Sequence, residues 1–203
     1  MKLYNSIGPN PRSVRIFMAE KGIELPKVEV DIMKGENRRA PFLELNPSGQ
    51  CPALELDDGS ILSEITAICE YLDEKKPGNS LIGNTPEERA ETRMWVRRID
   101  LNILEPMANG FRYGKGLKMF RDRIHCIPGA AGDLVQIAQE KLAWLDKLMA
   151  GKEFICGKRL TLADTLLFAF VDFFAGVGFP IDPANQNILA WHARMKARPS
   201  AAA

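Results

Sequence analysis

Four cysteines, Cys51, Cys69, Cys126 and Cys156, and two histidines, His125 and His192, carry the strongest intrinsic chemistry in this sequence of 203 residues. No two cysteines form a C-x-x-C pair, and only the two histidines stand by to assist them. The pattern therefore argues against structural zinc or any other metal, and against a disulfide framework. Each cysteine reads as a small apolar residue in a reducing compartment. A different chemistry is offered by Ser63-Glu64-Ile65-Thr66, which opens a helix: the unpaired N–H groups and dipole of a helix start favour a carboxylate. Gln50-Cys51-Pro52 lies just upstream. Taken alone, these residues also fit a plain hairpin with a trans proline and an ordinary first-turn acid, since about 5–6% of X-Pro bonds in folded proteins are cis.

The elements that position these residues are legible. Lys2-Leu3-Tyr4-Asn5 is strand-like, and Gly8-Pro9-Asn10-Pro11 leads into a helix. Val14, Phe17, Met18 and Lys21 share one face of it, with Lys21 expected to snorkel and Gly22 to stop the helix. Val28 to Ile32 alternates with period two, the mark of a half-buried strand. After a polar segment with room for an irregular helix, Ala53 to Leu56 and Ile61-Leu62 flank the turn Asp57-Asp58-Gly59-Ser60 as a hairpin. Ile65, Ile68, Cys69 and Leu72 then mark an amphipathic helix. A β-α-β unit followed by β-β-α makes a four-stranded mixed sheet covered by helices.

Residues 75–84, rich in charge, Gly and Pro, read as a linker between an α/β unit, 1–74, and an all-helical unit, 85–203. Thr85-Pro86-Glu87-Glu88 has the form of a capping box with proline in the first turn. In the helix it starts, Trp95, Ile99, Asn102 and Ile103 share a face, Leu101 and Leu104 lie on another, and Pro106 is expected to bend or end it. Leu134, Ile137, Ala138, Leu142, Leu145 and Met149 form a second helical stripe. Thr161 and Asp164 cap a helix, Leu162 to Ala175, that is apolar nearly all round and so belongs at the centre of the helical unit. Asn187 to Ala197 supplies the last helix.

A formal charge of +1, from 27 basic and 26 acidic residues, gives no broad attraction for phosphate backbones or anionic lipid. Neither nucleic acid nor a membrane is an expected partner. The richest apolar run, Leu166 to Val171, is far shorter than the roughly 20 residues needed to cross a bilayer. The start, MKLYNSIGPNP, lacks the basic and apolar regions of a secretory signal, so a cytoplasmic location is expected.

The segments "NPSGQCPAL", "SEITAICEYL", "LIG" and "ICGKRLTLADTLLFA", in this order and spanning essentially the whole chain, resemble those of the cytosolic glutathione S-transferases. The stretch "SIGPNPRSVRIFMAEKGI" is most similar to the fungal and bacterial members that lack a classical Tyr, Ser or Cys for thiol activation. The resemblance implies the glutathione transferase fold: an α/β, thioredoxin-like N-terminal domain joined to an all-α, helical-bundle C-terminal domain.

It also implies a site. Pro52 would be cis and would turn the Cys51 backbone toward the cysteinyl backbone of glutathione, as an added strand would. Glu64 and Ile65 would meet the γ-glutamyl carboxylate; the family's usual serine is here Ile65, leaving its backbone N–H to serve with Thr66 nearby. Glu64 is equally suited to the γ-glutamyl ammonium. Gln50 would contact the tripeptide, and Arg38 or Arg39 the glycyl carboxylate. A thiol of pKa near 8.5 is only a few per cent ionised at neutral pH, and lowering that value by about two units takes roughly 2.7 kcal/mol. Asn10 is the first candidate for this work and Ser6 the second, with a water held by Tyr113 or Arg112 as another route. Ile7, Met107, Phe111, Phe120 and His125 are candidates to line an electrophile pocket between the domains. The implied activity is conjugation of the glutathione thiolate to a small hydrophobic electrophile by a homodimer, with glutathione as substrate and no metal. The same residues leave open a non-catalytic binding or interaction protein of this fold, and a glutathione-dependent thiol reductase or peroxidase.

Overall fold

Leu3 and Tyr4 point to opposite faces of the sheet, which makes β1 (Lys2–Asn5) a two-sided central strand in a computed structural model that describes residues 1–203. The helix α1 (Pro9–Lys21) comes next and ends at Gly22, whose φ of 60° is the left-handed cap conformation that glycine adopts without strain. The strand β2 (Lys27–Glu29) runs parallel to β1, with Tyr4 opposite Val28. A 3-10 turn (Glu36–Arg38) and the short helix α2 (Phe42–Leu45) lead to β3 (Ala53–Glu55), which is antiparallel to β1 and pairs in turn with β4 (Ile61–Ser63). The sheet order is β2-β1-β3-β4, and α3 (Ile65–Lys75) completes the α/β half.

β2 is shorter than the alternation of Val28 to Ile32 suggests. All three of its residues are exposed at the sheet edge. Val30 N–H still bonds the Asn5 carbonyl at 2.8 Å, but the chain then turns away, and Val30 alone of the three apolar residues is buried.

The two faces of the sheet feed separate cores. Leu3 and Leu54 join Val14, Phe17, Ile68 and Leu72 of α1 and α3, while Tyr4 and Ala53 pack with Val30, Phe42 and Cys51 beneath α2. The first core continues without a break into the helical half, through Leu166, Phe168 and Trp191.

The helical half begins with α4 (Pro86–Ile99), where Thr85 Oγ1 accepts the Glu88 N–H at 3.2 Å. Asp100–Leu104 then forms a π-helical segment, continued by α5 (Glu105–Tyr113). Pro106 therefore causes no break: it falls in the first turn after the π segment, where its missing N–H is tolerated. Leu101 is 48% exposed, so the second apolar face expected there is solvent-facing at that position, whereas Leu104 is buried. The remaining helices are α6 (Leu117–Phe120), α7 (Ala131–Leu148), α8 (Leu162–Gly176) and α9 (Gln186–Lys196). In α7 the buried stripe is Ala138, Leu142 and Leu145, continued by Met149; Ile137 lies outside it. No helix is long and apolar enough to cross a membrane.

The central helix α8 is anchored by one buried carboxylate. Asp164 Oδ2 accepts the Thr161 N–H at 2.9 Å and the Thr161 hydroxyl at 3.0 Å. Its Oδ1 accepts the Ile155 N–H at 2.9 Å and the Trp191 indole N–H at 3.0 Å, tying α8 to α9 and to the turn before it. Burial pushes the Asp164 carboxyl up to about 6, against the pull of these four donors.

Lys21 does not snorkel. Its ammonium lies 3.0 Å from Asp73 Oδ1, with side chains 1% and 9% exposed, and it also donates to the Gly78 carbonyl at 2.9 Å. Asp73 in turn accepts from the Ser80 hydroxyl and the Leu81 N–H. The end of α1, the end of α3 and the connecting segment are thus held by one buried polar cluster.

Candidate functional site

Between the two halves lies a cavity of about 340 Å³, lined on one side by Asn10, Gln50, Cys51, Pro52 and Ser63 to Thr66, and on the other by Asp100, Leu104, Glu105, Ala108, Arg112, Leu166 and Phe170. Asn10, Gln50, Cys51, Pro52, Glu64 and Ile65 are therefore brought together. Ser6, Tyr113 and Arg39 are not.

The loop before Pro52 is built by side-chain amides. Asn37 donates to the Gly49 carbonyl at 2.7 Å, and Asn46 to the Gln50 carbonyl at 2.9 Å. Gly49 has φ 61°, and a Cβ there would sit 2.9 Å from the Asn37 carbonyl oxygen, so this approach requires glycine. The Cys51-Pro52 bond is cis. Neither the N–H nor the carbonyl of Cys51 is taken by another main-chain group. Its thiol is buried, and desolvation followed by the Glu29 charge raises its pKa to about 11, which makes the sulfur a poor nucleophile.

At the start of α3 the N–H groups of Ile65, Thr66 and Ala67 have no partner within the chain; the first bond of the helix is Ile68 N–H to the Glu64 carbonyl, at 3.0 Å. The first two of these donors belong to residues that line the cavity and form an anion cradle there. Glu64 precedes them with φ 71°, a conformation uncommon for a residue with a Cβ and concentrated at functional sites.

The start of α1 is narrower in what it offers. Asn10 sits inside the first turn rather than just before it, flanked by Pro9 and Pro11, which have no N–H. Its own main-chain N–H and side-chain amide are free of intrachain partners, so Asn10 supplies the donors that the first three residues of this helix can present. Ser6 is buried and its hydroxyl donates to the Val30 carbonyl at 2.6 Å, closing the β1–α1 turn against β2. Arg39 donates to the Lys34 carbonyl and borders a separate pocket beside β2 and α2. Arg38 is also outside the cavity, and Tyr113, half-buried at the end of α5, does not reach it.

The far wall differs from the expected lining. Ile7 is 61% exposed, Met107 is in the core, Phe111 and Phe120 belong to an aromatic cluster with Phe173, Phe174 and Phe179, and His125 is elsewhere. The apolar lining is Leu104, Ala108, Leu166 and Phe170. Leu104, Ala108 and Arg112 repeat at i, i+4, i+8, and Leu166 and Phe170 at i, i+4, a signal present in the sequence but indistinguishable there from core packing. The π segment supplies an extra residue in its turn, which rotates α5 by about 100° relative to a continuous α-helix. Asp100 and Glu105 add carboxylates near Glu64. Partial desolvation, then the neighbouring Glu105 and Glu64 charges, hold the Asp100 carboxyl above its ordinary value, with Arg97 opposing.

Comparison with known proteins matches residues 7–75 to the glutathione S-transferase N-terminal domain and residues 93–194 to the glutathione S-transferase C-terminal domain. The chain is 31% identical over 208 residues to glutathione S-transferase 2 of Saccharomyces cerevisiae, covering 95% of this chain and 84% of that one. It is 28% identical over 201 residues to the glutathione S-transferase GstA of Escherichia coli O157:H7, covering 98% and 94%. Among solved structures, a glutathione S-transferase domain-containing protein of Marinobacter aquaeolei superposes with a TM-score of 0.90 at 36% identity, over 98% of this chain and 99% of that one.

Proposed function

This chain belongs to the glutathione S-transferase family, and from that premise we propose that it conjugates the glutathione thiolate to a small electrophile held between its two halves. The observation that carries the reading is the set of unpartnered main-chain donors and acceptors opening on one cavity: the Cys51 N–H and carbonyl, and the N–H groups at the start of α3. They suit an extended peptide with a carboxylate at one end, which is what glutathione presents. In this reading the Cys51 backbone pairs with the tripeptide, Ile65 and Thr66 hold the γ-glutamyl carboxylate by their N–H groups, and Glu64 and Gln50 contact its polar atoms. Asn10 donates to the sulfur and favours its anion. The sulfur of glutathione then forms a bond to the electrophilic carbon, whose leaving group departs with the bonding pair, while the thiol proton passes to solvent. The apolar body of the electrophile rests against Leu104, Ala108, Leu166 and Phe170.

The deciding experiment is an ultraviolet difference titration with glutathione across pH, run on the wild type and Asn10→Ala. The expected result is a bound-thiol pKa below that of free glutathione, with the shift reduced in the variant. Binding without any shift would favour a non-catalytic binding protein instead.

We further propose units of 1–74 and 85–203 joined by 75–84, and a cytoplasmic homodimer. The free state of all four cysteines supports a reducing compartment, and exposed Met94 and Leu101 flanking the α4–α5 line support an interface. Sedimentation of a monomer at micromolar concentration would remove the dimer.

A further inference from the structure

Arg112 is the one cation lining the cavity, and conjugation to an apolar electrophile leaves it without a task. It is half-buried. No carboxylate lies within ion-pair distance of it, a feature it shares with several other arginines, none of which lines the cavity. One of its terminal nitrogens donates to Asn109 Oδ1 at 3.0 Å, and its guanidinium lies 5.9 Å from the centre of the Phe120 ring. Asn109 is itself held, donating to Glu105 Oε1 at 2.8 Å. The ladder Glu105, Asn109, Arg112 along one face of α5 thus fixes the guanidinium while leaving its other terminal nitrogen and its Nε free to donate.

A partly desolvated guanidinium with no counter-ion is an unfavourable arrangement unless something supplies the charge, and its planar fork matches a carboxylate in particular. Of the cavity's own carboxylates, Glu105 reaches the guanidinium only through the Asn109 amide, and Asp100 precedes Arg112 by twelve residues, roughly 18 Å along a helix axis at about 1.5 Å per residue. Glu64 sits with Asp100, on the side of Pro52 and Ile65. Between the two ends lies the apolar strip of Leu104, Ala108, Leu166 and Phe170.

Resting on the transferase reading above, the geometry points to an electrophile that carries a carboxylate: its apolar body lies on the strip and its acid group is gripped by the free donors of Arg112. The inference concerns the substrate class of the site, and it assigns Arg112 to specificity rather than to thiol activation.

Two glutathione conjugates of one shape test it without requiring turnover: S-benzylglutathione and S-(4-carboxybenzyl)glutathione, titrated calorimetrically into the wild type, Arg112→Gln and Arg112→Lys. The wild type is expected to bind the carboxylated conjugate more tightly. Arg112→Gln should lose about tenfold to a hundredfold on that conjugate and under about threefold on the neutral one, the range expected for charge-assisted hydrogen bonds. Arg112→Lys should recover part of the loss, since it keeps the charge without the fork. Equal affinity for the two conjugates in the wild type, or an equal loss on both in Arg112→Gln, would overturn the inference while leaving glutathione binding intact. If neither conjugate binds the wild type, the transferase reading falls and this inference with it.

Discussion

The ammonium of Lys21 lies 3.0 Å from Asp73 Oδ1 with both side chains almost fully withdrawn from water, so the ends of α1 and α3 share a buried ion pair. Removing one partner of such a pair leaves an uncompensated charge. Lys21→Met is therefore expected to lower the unfolding free energy by about 3–5 kcal/mol, and Lys21→Met with Asp73→Leu by clearly less. Urea denaturation of both variants checks this; equal losses would mean that the cost lies in the linker contacts of Lys21 and not in the pairing.

Asp164 and Asp172, about two turns apart on α8, are expected to titrate in opposite senses. Asp164, raised to about 6 from 3.8, binds its proton more tightly when folded; its contribution is fully present below about pH 4 and is lost as pH rises through 6. The shift corresponds to roughly 3 kcal/mol, so the stability advantage of the wild type over Asp164→Asn should be larger at pH 4 than at pH 7. For Asp172, desolvation pushes upward, but the Arg12 guanidinium, donating at 2.7 Å, together with the nearby Lys196 and His192, holds the carboxyl below its ordinary value. Its contribution is present above about pH 4 and disappears as pH falls further. Denaturation curves for wild type, Asp164→Asn and Asp172→Asn at several pH values separate the two.

Arg12 also donates to the Ala201 carbonyl, and Arg198 grips Glu20 with bonds of 2.6 and 2.8 Å, so α1 is clamped to the helical half at two points. Arg12→Ala should destabilise by about 1.5–3 kcal/mol, the range for hydrogen bonds to charged groups. Because α1 carries Asn10, hydrogen exchange near the cavity should also accelerate in that variant; unchanged exchange there would show that the other clamp suffices.

Glu64 stands at φ 71°, in a region where a side chain costs of order 1–3 kcal/mol. Glu64→Gly relieves that cost and gives back part of it as unfolded-chain entropy, for an expected net gain of about 1 kcal/mol. Glutathione affinity should fall in the same variant. A stability gain without loss of affinity would remove Glu64 from the site.

The thiols of Cys51 and Cys156 are raised to about 11, and Cys69 is raised well above its ordinary range, in each case by burial first. At pH 7.5 a thiol of pKa 11 is ionised in only roughly one molecule in three thousand. Cys126, the one half-exposed cysteine, is thus expected to account for the fast reaction with a disulfide reagent, and Cys126→Ser to abolish it. Fast labelling at Cys51 would instead reopen a thiol reductase role.

Much of the chain's local order is written in short-range chemistry. Gly22 stops α1, Thr85 and Glu88 start α4, Thr161 and Asp164 start α8, and Asp57 to Ser60 turn the hairpin, because caps and turns depend on residues within a few positions of one another. Period and order of elements then carry the two-part fold. The candidate site was legible from local chemistry at the helix start Glu64-Ile65, whereas Cys51-Pro52 alone fitted a plain hairpin and entered the site only through the family resemblance. It was not legible where a side chain had to choose between partners distant in sequence. Ser6 turns to the Val30 carbonyl and Lys21 meets Asp73, each by contacts that a helix or strand period does not encode. The same holds for the cavity wall. Leu104, Ala108, Leu166 and Phe170 have the spacing of ordinary core residues, and the sequence by itself determined only that they lie on buried helical faces. Which of those faces meets a neighbour and which meets an opening was decided by the tertiary structure, through the π turn at Asp100–Leu104 and the way α8 lies against α1, because a helix's inward direction is set by what it packs upon.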